Sequence, residues 1–349
     1  MTHRSVTPNI HPEIVNKRRH SRPLDPIPIW KRPLFSEHVV LFVSIVYFLI
    51  FLLFTPGLAS PSNIRNIFTN MLPLLVVAVG QTFVLITAGI DLSATSIIAL
   101  TSVIGASAMN TENGFLALSP WAVPAGILVM LLLGVLLGAL NGLTIALIRM
   151  PPFIVTLTSM MFFRGFAVWY TQSRNIFHLP GGFNVIGRDS VGFIPNAVIP
   201  VGLIVVAASV CLRKTLLGRW VYAVGHNPKA ALISGVPVRR TILFVYMISG
   251  FCAAVSSVLY TARLETGSPT MGDKILLDII AATVIGGASL FGGKGKILWT
   301  VNGVLFITLI GNTLDMFGLS FFVVMMVKGT VILFAAFLDA MRHRILAEG

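Results

Sequence analysis

Charge is scarce in this sequence and cysteine nearly absent. Only 11% of its 349 residues are charged, where a soluble domain carries about 25%. Acidic residues are the scarcer kind, 12 against 25 lysines and arginines. So thin a polar coat excludes an ordinary soluble domain. The two cysteines, Cys211 and Cys252, stand alone in or beside apolar stretches, which excludes a disulfide framework and a cysteine metal site. Phosphate-binding and hydrolytic motifs are missing as well. The nearest approach to a Walker A loop is Ala288 to Gly295, where Ala288 replaces the first glycine and Gly295 the Ser or Thr that would hold magnesium. No H-E-x-x-H or G-x-S-x-G is found. If nucleotide drives this chain, another subunit must bind it.

What is present is hydrophobicity. The chain is 56% hydrophobic, with a mean hydropathy of +0.90. This predicts an all-α polytopic membrane protein, because a bilayer leaves no water for unpaired backbone groups. The net charge of +13 does not indicate nucleic acid, since the basic residues belong to loops. Residues 1–38 read as a disordered basic tail with six prolines. Ten apolar runs follow: Val39–Phe54, Met71–Ala88, Ser93–Met109, Trp121–Ile148, Phe153–Thr171, Pro195–Leu212, Thr241–Ala262, Ile275–Phe291, Ile297–Asn312 and Phe321–Leu338. About 20 apolar residues cross a bilayer. The third and eighth runs are short enough to be re-entrant or broken.

Charge orients the runs. With a cytoplasmic N-terminus, the linkers facing outward hold Arg65, Arg174, Arg188, Arg263 and Lys274. Arg164 and Lys328 lie within runs, and every other basic residue falls on the cytoplasmic side. That obeys the positive-inside rule and makes both termini cytoplasmic. The predicted units are 1–38, a transmembrane domain over 39–340 and a tail over 341–349.

The most unusual stretch is Leu277 to Gly295, LDIIAATVIGGASLFGGKG. Asp278 to Ser289 (DIIAATVIGGAS) echoes Ser96 to Ser107 (SIIALTSVIGAS). Asn302-Gly303 echoes Asn141-Gly142 in the same order. Five runs separate the copies of the first pair, so they should run in opposite directions. This predicts two inverted five-helix halves, about 39–172 and 195–339, with a substrate path between repeats.

Polar residues within the apolar runs are the candidates for that path or for helix breaks. They are Gln81, Asp91, Ser93, Asn141, Arg164, Asp278, Asn302 and Lys328, joined as helix-break candidates by the glycines Gly286 and Gly287. Asp91 can cap the third helix or touch substrate. Asp278 and Arg164 can each pair with an opposite charge. Asn141 and Asn302 can hydrogen-bond between helices. An ion-coupled secondary transporter using Asp91 and Asp278 is the alternative reading.

The loop 213–240 contains a short helix signal. Asn227 suits the N-cap, Pro228 the first turn, and Gly235 the position after the end, around Lys229-Ala230-Ala231-Leu232-Ile233-Ser234. A capped, partly apolar helix with basic flanks suits a groove on a cytosolic partner.

Four stretches together carry a resemblance: Gly89-Ile90-Asp91-Leu92-Ser93; Pro152 to Leu157 with Arg164-Gly165; Ala223-Val224-Gly225-His226-Asn227 with Ala230-Ala231 and Ser234-Gly235-Val236; and Asp278 to Gly295. From about Asn63 to Asp339 the chain resembles permease subunits of ribose/xylose/arabinose-type ABC importers, which include autoinducer-2 and rhamnose permeases. The resemblance implies a vitamin B12 importer-like fold of ten helices in the bacterial inner membrane. It implies a second permease copy or paralogue, cytosolic ATPase subunits that bind ATP and magnesium, and a periplasmic sugar-binding protein. It also implies that residues from His226 to Gly235 contact the ATPase. One departure stands out: Leu276 replaces the glutamate of the family's Y-E-L-D.

Overall fold

The computed structural model describes residues 39–117, 119–192 and 194–348. The tail assigned to 1–38 lies outside the described residues. Each of the ten apolar runs contains a helix. α1 is Val39–Leu52, α2 Pro61–Ile86, α3 Ala94–Met109, α4 Ala122–Leu143 and α5 Pro152–Thr171. α6 (Gly181–Arg188) and a two-residue hairpin, Ser190–Val191 with Ile194–Pro195, fill the longest loop. α7 (Val198–Lys214) bends by 70° into α8 (Leu216–His226). α9 (Pro228–Ile233), α10 (Val238–Leu264), α11 (Leu276–Ile285), α12 (Ile297–Met316) and α13 (Phe321–Glu348) complete the bundle. Among the described residues, five helices are long and apolar enough to cross a membrane, or six with the bent pair counted. α1, α3, α11 and the start of α13 are shorter apolar helices. The fold is an all-α polytopic membrane bundle.

Several boundaries differ from those the sequence suggests, for local reasons. α2 begins ten residues before the apolar run, because Ser60 caps it and Pro61 occupies its first turn. The eighth run is helical only to Ile285. The echo explains this stop. α3 continues through Val103-Ile104-Gly105-Ala106, whereas the second copy has an extra glycine, Gly287, at φ +104°. That left-handed backbone ends the helix. α13 runs past Leu338 to Glu348. At the end of α4 the last turn widens into a π segment, Thr144–Ile148, closed by Arg149 at φ 62°.

α2 is the central helix, with 89% of its apolar window buried. It packs on α10, α12 and α11. α4 meets α10 through Gly134, Gly138 and Gly142, spaced four apart. A Cβ on any of them would strike the α10 backbone at Gly250, Tyr246 or Leu243. Small residues at this spacing let membrane helices approach closely. The spacing is visible in the sequence; which helix receives it is not.

Contacts sort the loops into two ends. At one end, Asn63 and Asn312 exchange amide hydrogen bonds of 3.0 and 2.8 Å, Ile176 bridges Gly267, and Arg188 pairs with Glu265. At the other, Gly293 meets Ile86, Tyr222 meets Gly295, and Asn141 meets Ser93. Residues 213–240 and 286–296, which charge assigns to the cytoplasm, gather at this second end. The segment before α11 runs along α3, with Gly267 beside Ala106 and Gly272 beside Thr95, while α11 leads to Gly292, which lies against Ala88 in the stretch that leads into α3. The two echoed helices therefore run in opposite directions.

Candidate functional site: two helix breaks under the loop helices

The first break, residues 87–93, joins α2 to α3. Asp91 is almost fully buried there. Its Oδ1 accepts from the Ser93 backbone N–H at 2.9 Å and the Ser93 hydroxyl at 2.6 Å. Its Oδ2 accepts from the Ser249 hydroxyl of α10 at 2.7 Å. Asn141 donates to Ser93 Oγ at 2.7 Å and accepts from Ser159 of α5 at 2.6 Å. Asp91 thus closes a turn onto Ser93, the residue that opens α3, and ties four helices through one network. A carboxylate with three donors is stable where an isolated one is not.

The second break is residues 286–296, with Gly287, Gly292 and Gly293 at positive φ. It touches the first break directly. The Gly293 N–H donates to the Ile86 carbonyl at 2.8 Å. Gly225 of α8 fits against the same carbonyl, and a Cβ there would overlap both it and the Gly293 nitrogen. The Tyr222 hydroxyl donates to the Gly295 carbonyl at 2.6 Å. α8 is therefore seated on both breaks at once.

α9 follows directly. Asn227 Oδ1 accepts from the N–H groups of Lys229 and Ala230, each at 3.0 Å. Gly235 leaves the helix at φ +82°. His226 lies beside Gly293. Pro228, Lys229, Ala230, Leu232, Ser234 and Gly235 face outward, while Ala231 turns in. Leu232 is 65% and Ile233 87% exposed, an apolar tip on a polar end.

The remaining candidates scatter. Asp278 pairs with Lys328 of α13 at 2.8 Å, largely buried. Arg164 pairs with Asp273 at 2.8 Å. Burial raises the Asp273 carboxyl above its ordinary value, and Arg164 opposes the rise. Gln81 is fully buried, and neither amide atom has a hydrogen-bond partner among the described residues. Asn302 does not make the expected interhelical hydrogen bond among the described residues. α11 and α12 touch there by backbone, with Gly303 against the Ala282 carbonyl, and α12 makes its hydroxyl link to α2 instead, between Thr82 and Thr300 at 2.7 Å. Gly286 packs against the Trp299 carbonyl. Reading the sequence missed Ser249, Ser159, Tyr222 and Asp273, which carry no motif of their own.

A family model described as "Branched-chain amino acid transport system / permease component" matches residues 63–336. A ribose import permease protein of Bacillus subtilis is 39% identical over 297 residues, covering 81% of this chain and 86% of its own. A ribose import permease of Haemophilus influenzae is 36% identical, with 81% and 87% covered. A galactose/methyl galactoside import permease from the same organism is 30% identical, with 89% and 96% covered. The chain belongs to this family of ABC importer permeases. No solved structure matches the permease. Relatives of this kind are transport subunits rather than enzymes, and a separate ATPase hydrolyses ATP. In the permease the breaks, α8 and α9 form one assembly, and both candidate carboxylates are already engaged by protein groups.

Proposed function

We propose that the permease forms half of the path by which a monosaccharide is imported: a pentose, deoxyhexose or related small sugar. The observation that carries this reading is the seating of α8 on both helix breaks, with the exposed tip of α9 beyond it. A push on α9 from a cytosolic ATPase reaches Ile86 and Gly293 without an intervening flexible segment. His226, Asn227, Pro228, Lys229, Ala230, Ala231, Leu232, Ser234 and Gly235 form this coupling element. The sugar class rests on the ribose and galactose permeases that the chain resembles.

In this reading the six long spans and four shorter apolar helices make ten crossings in the bacterial inner membrane, as two inverted halves of a vitamin B12 importer-like fold. Both termini are cytoplasmic, and residues 1–38 and 341–349 flank a permease domain over 39–340. A second copy or paralogue completes the path, and a periplasmic sugar-binding protein delivers the substrate. ATP and magnesium belong to the ATPase.

The test is uptake into proteoliposomes holding the permease, its ATPase and the binding protein, using labelled ribose, xylose and galactose. ATP-dependent accumulation that survives an ionophore is the expected result. Accumulation that ignores ATP and collapses with the ionophore overturns the reading.

A further inference from the structure

The segment that joins α10 to α11 descends into the bundle. Gly267 packs on Ala106, near the end of α3, and Gly272 on Thr95 and Ile98, in its first turns. Eleven residues of α3 separate Thr95 from Ala106, a descent of about 16 Å. α10, which is long and apolar enough to cross a membrane, sets the depth. Its Ser249 donates to Asp91 and its Ser257 to the Ile98 carbonyl at 2.8 Å. Thr95 is thus level with the stretch of α10 between them, seven to fifteen residues short of Leu264. That is about 10 to 22 Å from the end of α10, in a hydrocarbon core about 30 Å thick. Arg164 meets the segment at this depth. It stands twelve residues after Pro152 and seven before Thr171, and it pairs with Asp273. Charge placed Lys274 in an outward linker; the fold carries it inward with its neighbours.

These polar groups are uncovered. Thr270, Asp273 and Lys274 are exposed, and the Arg164 side chain is 53% exposed. Gly165, next to Arg164, has open space where a Cβ would stand. Lys274 Nζ lies 4.6 Å from the centre of the Phe321 ring. Lipid is a poor cover for this face, because charged groups at such depth are costly in hydrocarbon. The turns over 265–275 are not helical, and such backbone is tolerated at membrane depth only inside protein or beside water. A second copy pressed onto the face would have to desolvate two cations for one carboxylate, which is costly as well. Water is the cover that fits. A neutral sugar fits the same wall, since its hydroxyls both donate and accept. The pair at 2.8 Å joins one guanidinium nitrogen to one carboxylate oxygen, and both groups carry further hydrogen-bonding positions.

We propose that Arg164, Thr270, Asp273 and Lys274 form a sugar-contact site on a water-lined wall of the path, within the depth of the membrane. Asp273 accepts from the hydroxyls of a neutral monosaccharide, and Arg164 and Lys274 donate to them. The assignment rests on the transport reading above and adds the residues that the sugar meets on its way.

The experiment uses the complete reconstituted importer. A parent with Cys211 and Cys252 replaced by alanine receives Thr270→Cys, or Leu132→Cys on the exposed apolar face of α4 as the lipid-facing control. During ATP-driven turnover a charged, water-soluble methanethiosulfonate should label Thr270→Cys about tenfold or more faster than the control, and labelling should block ribose uptake. Asp273→Asn and Arg164→Gln should each lower the sugar moved per ATP hydrolysed by about fivefold or more, because the ATPase still cycles while the sugar loses its contacts. Labelling of Thr270→Cys no faster than the control overturns the proposal. So does uptake at the parental ratio of sugar to ATP, or a loss of uptake and hydrolysis in equal measure, which is the mark of a structural pair. Where the charge variants do not fold, the labelling decides. Failure of the transport reading looks different, because the unsubstituted importer would then show no ATP-driven uptake.

Discussion

The Gly293 N–H and the Ile86 carbonyl, 2.8 Å apart, join the two helix breaks by a single backbone hydrogen bond. Ile86 closes α2, and Gly293 lies in the loop that follows α11. Gly225 covers the bond from the α8 side. Any displacement of α8 must move both breaks or break this contact.

Gly225→Ala tests the junction. The added methyl meets the Ile86 carbonyl, which cannot move without α2, so the substitution overpacks a rigid site. Overpacking of this kind costs about 1–3 kcal/mol. The expected outcome is a lowered unfolding midpoint in detergent and strongly reduced ATP-driven uptake, with insertion into the membrane unchanged.

Leu232→Asp with Ile233→Asp tests the tip of α9. Both side chains are exposed, so the pair of changes should leave thermal stability within about 0.5 kcal/mol of the parent. Co-purification with the ATPase should be lost. Retention of the ATPase on the variant would remove the docking role from α9.

Asn227→Ala removes the acceptor for two N–H groups. A lost N-cap costs about 1 kcal/mol, borne here by a helix of six residues. Hydrogen exchange at residues 229–233 should speed up, while exchange in α2 and α10 stays slow. Coupled ATP hydrolysis should fall with it.

Lys328→Met tests the buried ion pair. It leaves Asp278 buried without its cation, which costs about 3–5 kcal/mol. Adding Asp278→Asn should recover part of that loss, because the uncompensated charge goes with it. A double-mutant cycle on unfolding in denaturant measures the coupling. Additive effects would mean that the two groups do not interact.

Asp91→Leu should rank among the more harmful single changes in the bundle. It strands the Ser93 N–H and the hydroxyls of Ser93 and Ser249, and each buried donor left unpaired costs about 1–3 kcal/mol. Asp91→Asn keeps an acceptor and should be milder. The check is the fraction of monodisperse protein extracted from the membrane.

The membrane class, the ten apolar runs, the family and the short helix α9 could all be read from the sequence, because each depends on neighbours along the chain. Apolar length sets a crossing, and Asn227, Pro228 and Gly235 set a short helix by their own backbone preferences. The echo of Ser96–Ser107 in Asp278–Ser289 could be read as well, and with it the glycine pair Gly286-Gly287 as a helix break. Partners across the bundle could not be read. Nothing near Asp91 in sequence points to Ser249, nothing near Arg164 points to Asp273, and Asn302 looks like Asn141 yet makes no comparable hydrogen bond. Such pairs join residues up to more than a hundred positions apart, and helix packing alone brings them within reach. The sequence determined which segments are apolar enough for a membrane and where the short capped helix forms. The tertiary structure decided which break meets which, because that depends on how closely backbones approach at Gly225, Gly250 and Gly303.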